Sequence, residues 1–119
     1  MDDIYLARFS GGGYEKPVHL GDPINSVQQE TTPFIAPDGS YLLFSRQFDL
    51  WVTFRAADGS WSAPVKLGPE INSPAIELCP IVTADGKYLF FLSQRDGESH
   101  AYWADVQAVL KLKPAAPGK

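Results

Sequence analysis

"PDGSYLLFS", Pro37–Ser45, and "ADGKYLFFLS", Ala84–Ser93, each begin with an Asp-Gly turn and run straight into a short apolar stretch. The Asp-Gly pair supplies the positive φ that a tight hairpin needs. The run behind it is too short for a helix and shows no polar alternation. It therefore reads as a strand buried on both faces. Two such strands with the same lead-in mean that the chain repeats.

A shift of 47 residues lays "KPVHLGDPINSVQQETTPFIAPDGSYLLF" over "APVKLGPEINSPAIELCPIVTADGKYLFF". From Tyr14 to Phe44, 14 of 31 positions are identical, well above chance, so the period belongs to the fold and not to the composition. A second element occurs three times: "DIYLA" (Asp3–Ala7), "DLWVT" (Asp49–Thr53) and "HAYWA" (His100–Ala104). The chain thus holds two central repeats and begins partway through another.

Each repeat reads as four strands. In the first copy Thr32–Ala36 is a strand that starts near Pro33, "PDGS" turns, and "YLLFS" is the second strand. "DLWVTF" is the third, "AADGS" turns again, and "WSAPVKL" is the fourth, placed at an edge by Pro64. "GPEINSPAIE" links to the next unit. The class is all-β. A period of 40–50 residues with four antiparallel strands is that of a β-propeller blade.

"ETTPFIAPDGSYLLFS" and "ELCPIVTADGKYLFFLS" resemble the WD40-like β-propeller repeat, the PD40 repeat of TolB-type propellers. The features are a Pro, a Pro-Asp-Gly-type turn, an aromatic and aliphatic strand, and an Asp-Ile-Tyr-Trp-like strand after it. Trp61–Ser73, "WSAPVKLGPEINS", also fits bacterial members. The likeness spans nearly all of residues 3–105, and the second copy departs from it with Ala84 in place of Pro37. It implies a propeller fold. It leaves function open, since such propellers serve as scaffolds, binding domains and accessory domains of peptidases.

The expected layout is a partial β-propeller over residues 1–110, with repeats at about 14–60 and 61–107, an N-terminal half repeat, and a flexible tail over 111–119; the stretch "VQAVLKLKPAAPGK", residues 106–119, is expected to start as a short helix. Little more than two blades are encoded, and a ring needs about 4 to 8. The outer faces of the end sheets are expected to expose Tyr5, Leu42, Phe44, Leu89, Phe91 and Trp103. Burying one large side chain is worth about 1.5–3 kcal/mol, so leaving about ten exposed forfeits a sum comparable to a domain's net stability. The favoured partner is a second copy packed head to tail, and three chains of two blades give a six-bladed homotrimer. At each junction "PIVTADGKYLFFL" and "HAYWA" of one chain share a blade with "YEKPVHL" of the next, which leaves one copy of the third strand over. The alternatives are a piece of a larger bacterial propeller protein and a substrate-gating propeller domain of a hydrolase.

Alternating strands put the Asp-Gly turns at one end and the remaining links at the other. That second end gathers Gln28, Gln29, Glu30, Arg46, Gln47 and Asp49, and from the next repeat Glu77, Gln94, Arg95, Asp96, Glu98 and His100. Loops on a rigid scaffold are the default binding surface. The candidate ligand-binding residues are Glu30, Arg46, Gln47, Glu77, Arg95 and His100, forming a charged rim for a polar ligand, protein or peptide. The competing reading makes Glu30–Arg46 and Glu77–Arg95 a repeated structural pair, and their recurrence in every repeat favours it.

Other chemistry is thinly represented. His100 has no partnered nucleophile, His19 falls on a solvated outer edge, and no catalytic motif is present, so the chain reads as a non-enzyme. The Asp-Gly stretches lack the dense oxygen ligands of a calcium loop. Cys79 is a lone thiol expected to be buried and inert, and no zinc site can be built from it. No metal or cofactor is implied. Trp51, Trp61 and Trp103 read as packing residues rather than a sugar platform. The net charge of −4 with no basic block argues against nucleic acid and acidic membranes as partners. No signal peptide is visible, which suits the cytoplasm for the chain as given, although related propellers are often periplasmic or secreted.

Overall fold

The computed structural model describes residues 2–115. Its strands in chain order are β1 (Tyr5–Leu6), β2 (Phe9–Ser10), β3 (Gly13–Tyr14), β4 (Val18–His19), β5 (Glu30–Ile35), β6 (Tyr41–Arg46), β7 (Asp49–Phe54), β8 (Val65–Lys66), β9 (Glu77–Val82), β10 (Tyr88–Ser93) and β11 (His100–Asp105), followed by helix α1 (Gln107–Leu110). The fold is all-β. It contains a four-stranded antiparallel sheet, β5-β6-β7-β8, and a three-stranded one, β9-β10-β11. Two small sheets, β1-β4 and β2-β3, precede them. The β2-β3 hairpin, with Gly11 and Gly12 at positive φ, was not expected from the repeat. "WSAPVKL" shrinks to the two residues of β8 and a bridge between Arg55 and Trp61, because Pro64 cannot donate to a ladder.

The turns follow from the Asp-Gly pairs. Gly39 donates to the Ala36 carbonyl at 2.8 Å and takes φ +74°, which only glycine adopts without strain. Beside it the Asp38 carboxylate accepts from the Ser40 amide and hydroxyl at 3.0 and 2.6 Å. Asp58 with Ser60, and Asp85 with Thr83 and Lys87, repeat the arrangement.

The sheets stack face to face, and each strand's alternation sends side chains to two different neighbours. Tyr41 and Leu43 of β6 enter the larger core with Val82, Leu89 and Phe91 of the last sheet. Leu42 and Phe44, one residue out of phase, enter a smaller core with Ile4 and Ile24. Helix α1 closes the larger core through Val109, with Val106 just before it. The chain then turns through residues 111–113; of the expected tail, 116–119 lie outside the described residues.

This packing corrects the list of exposed faces. Leu42, Phe44, Leu89 and Phe91 are buried inside the chain, because the half-sheet and the four-stranded sheet each cover one neighbour. Tyr5 and Trp103 are exposed, as are Ile81, Tyr88, Phe90 and Leu92. Phe90 lies between Ile81 and Trp103 in register, and Leu92 lies one pleat farther along the same face of the last sheet. Trp51 and Trp61 are half-buried against the smaller core, as packing residues are, whereas Trp103 is not.

Candidate functional site

At the end of the stack opposite the turns at Gly39, Gly59 and Gly86, a small polar joint occurs twice. In the first copy Glu30 is fully buried and accepts from the Arg46 Nε at 2.7 Å and from the amide and hydroxyl of Ser26. Arg46 spends a second nitrogen on the Ile24 carbonyl at 2.7 Å and lies over the rings of Phe44 and Trp51. In the second copy Glu77 is equally buried and accepts from the amide and hydroxyl of Ser73 and from the Ser93 hydroxyl at 2.7 Å. Arg95 donates to the Ser93 hydroxyl and the Ile71 carbonyl, lies over Phe91 and Tyr102, and stays 3.8 Å from Glu77.

These four charges are therefore consumed within the fold. A buried carboxylate is tolerated only when paired and hydrogen-bonded, and each Glu here has such a shell. The charged rim expected from Glu30, Arg46, Glu77 and Arg95 is a repeated structural joint that locks each link onto its sheet. The Ile-Asn-Ser stretch completes it. Ile24 and Ile71 are fully buried, and Asn25 and Asn72 use their side-chain amides like a strand's backbone. Asn72 accepts from the Leu50 amide at 2.8 Å and donates to its carbonyl at 3.0 Å; Asn25 does the same with Ile4 at 2.7 and 2.9 Å. Charge alone points to the Glu–Arg pairs and not to the asparagines, whose signal in the sequence is their identity at the 47-residue offset.

Gln47 and His100 remain outside this joint. Gln47 and Phe48 form the whole loop between β6 and β7, and both take positive φ, +50° and +66°. Such loops favour Asn-Gly, so a Gln-Phe pair holds backbone strain, and Phe48 is left exposed at the tip. Thr32 and Cys79, again 47 residues apart, take φ +46° and +57° where β5 and β9 bulge against their neighbours. The prolines that follow them cannot donate to the ladder, so the bulges absorb the missing bonds. The bulge also turns Cys79 outward: it is exposed, not the buried thiol expected, and its amide donates to the Thr32 hydroxyl at 3.3 Å.

A groove of about 290 Å³ lies among these residues, lined by Gln29, Thr31, Thr32, Gln47, Phe48 and Leu78, with Ser45 at its base. Its walls offer amides, hydroxyls and one aromatic ring, and no charged side chain. It suits a neutral polar ligand or an extended peptide backbone. His100 sits at the start of β11, 3.9 Å from Asp96 and 3.7 Å from Glu98, and more than half exposed. His19 is exposed and bound to Asp3 at 3.1 Å. Among the described residues no cluster of His, Cys, Asp and Glu gathers to hold a metal ion, and no helix is long and apolar enough to cross a membrane. No protein-family model matches the chain, and neither a curated protein nor a solved structure does.

Proposed function

We propose that this chain is a WD40-like β-propeller module that completes its ring with further copies of itself, and that it acts as a non-catalytic scaffold or binding module. The observation that carries this reading is the bare outer face of the last sheet. Ile81, Tyr88, Phe90, Leu92 and Trp103 occupy there the places that face the next sheet in the first repeat. The repeated stacking of sheets and the repeated Asn–Ser–Glu–Arg joint support it, since both are ways of adding identical units in series. A trimer of this chain supplies six blades. The strained Gln47-Phe48 loop and the groove beside it are the ligand surface. The ligand class is a neutral polar group or a peptide segment, because the nearby charges are spent on the joint.

Small-angle X-ray scattering tests the shape. A ring gives a particle far larger than the single chain, whose radius of gyration is 14.7 Å, with a central depletion in its distance distribution. A profile that fits one chain at every concentration would remove the proposal. The bare face equally suits a piece of a longer propeller, in which further repeats of the same polypeptide cover it; the scattering then shows open-ended aggregation rather than a closed ring.

A further inference from the structure

The first sheet takes its fourth strand in a specific register: Trp51 opposite Lys66 and Val52 opposite Val65. The half-sheet copies it, with Tyr5 opposite His19 and Leu6 opposite Val18. The accessory bonds are copied too. Asp49 pairs with Lys66 at 2.8 Å and Asp3 with His19 at 3.1 Å. Leu67 donates to the Leu50 carbonyl at 2.9 Å and Leu20 to the Ile4 carbonyl at 3.2 Å. Asn72 and Asn25 then close the same two backbone groups. Third strand, fourth strand and asparagine form one interchangeable joint.

Among the described residues there are three third strands and two such fourth-strand segments, Val18–Ser26 and Val65–Ser73. The third strand without one is β11. Its Ala101 stands where Ile4 and Leu50 stand, so its amide and carbonyl point to the open edge, followed by those of Trp103. The described residues after β11, 106–115, do not fill that edge. They turn through α1 onto the core, and Lys113–Ala115 reach the far turn of the first sheet beside Ala56 and Ala57.

We infer that the open edge of β11 is a docking site for the Val18–Ser26 segment of a second copy, which accepts β11 as its third strand in exchange for its own β1. This rests on the self-assembly proposed above and identifies its contact. One movement then satisfies both exposed features. The β11 edge gains Val18, His19 and the Asn25 amide, and the bare face of Tyr88, Phe90 and Leu92 meets the Leu42 and Phe44 face that Ile4 covers in the single chain. β1 is suited to leave. It is only two residues long, and Ile4 is its one deeply buried apolar neighbour. The surplus third strand is a placeholder that guards the joint until another chain arrives.

Hydrogen exchange of the full chain, read residue by residue below and above the concentration of assembly, tests this. Above it the Ala101 and Trp103 amides gain protection while those of Ile4 and Leu6 lose it. An assembly in which Ile4 stays protected, or Ala101 stays open, overturns the exchange and leaves self-assembly standing. A chain that remains single throughout overturns both. The Asp3→Ala variant adds a second reading. Loss of its exposed contact with the His19 Nε2 loosens β1 and strengthens association about two- to fivefold, the range expected for an exposed polar pair. Unchanged or weaker association overturns the exchange.

Discussion

The first sheet and the last sheet are written with the same residues and buried very differently. Tyr41 and Leu43 of β6 are 7 % and 0 % exposed; their counterparts Tyr88 and Phe90 of β10 are 40 % and 37 %. Strand pairing, turns and the Glu-centred joint are alike in both. The difference in burial at these positions lies in the neighbour: the first sheet has one on each face, the last sheet on one. Burial is therefore a property of the stack, while strand identity is a property of the repeat.

The sharpest way to break that comparison is to truncate equivalent positions. Leu43→Ala opens a cavity in a filled core and lowers the unfolding free energy by about 2–5 kcal/mol in denaturant titration. Phe90→Ala costs the isolated chain no more than about 1 kcal/mol, because water already reaches that ring. Equal losses at the two sites would mean that the last sheet is covered within the single chain after all.

The two joints differ in a smaller way that can also be measured. Glu30 touches its arginine directly, whereas Glu77 leans mainly on the hydroxyls of Ser73 and Ser93. Glu30→Ala strands the Arg46 guanidinium in a largely buried place and costs about 3 kcal/mol. Glu77→Ala costs less, since the more exposed Arg95 turns to water. Thermal unfolding of both variants checks the order, and a larger loss at Glu77 would reverse this account of the joints.

The β6–β7 loop separates stability from function. Replacing Gln47 by Asn together with Phe48 by Gly suits the positive φ values and raises stability by about 0.5–1 kcal/mol. A loss of stability would show that Phe48 contributes packing that outweighs the strain.

The smallest effect is shared by the Asp-Gly turns at Asp38, Asp58 and Asp85. Hydrogen bonds from Ser40, Ser60 and Thr83 hold the carboxyls of Asp38, Asp58 and Asp85 below the usual value of 3.8. Depressed folded-state values mean that this stabilisation is complete above about pH 4 and fades as pH falls through them. Carbon-13 titration of the side chains should show all three ionising below unpaired aspartate. A titration at the ordinary value would remove the turn carboxylates from the acid response.

Much of the fold was legible because its causes are local. Asp-Gly turns and all-apolar runs mark β6, β7 and β10 within a residue or so, and the 47-residue offset finds both joints. The phase of burial was not legible. A strand that is apolar throughout gives no sign of which neighbour each residue meets, so Leu42 and Leu43 look alike in the sequence and enter different cores. The Glu–Arg pairs were legible as a structural joint from their recurrence, whereas the groove is built from uncharged residues, with non-glycine backbone strain at Thr32, Gln47 and Phe48. Positive φ at such residues has no pattern in the sequence.

Static light scattering across a concentration series, on the native chain beside Phe90→Asp, bears most directly on the idea that the last sheet needs a neighbour. The expected result is a native mass at a whole multiple of 13.1 kDa, three copies for the closed ring, and a shift to the single chain when a charge is placed on the bare face. A native chain that stays at 13.1 kDa through the micromolar range, with Phe90→Asp indistinguishable from it, would contradict the account.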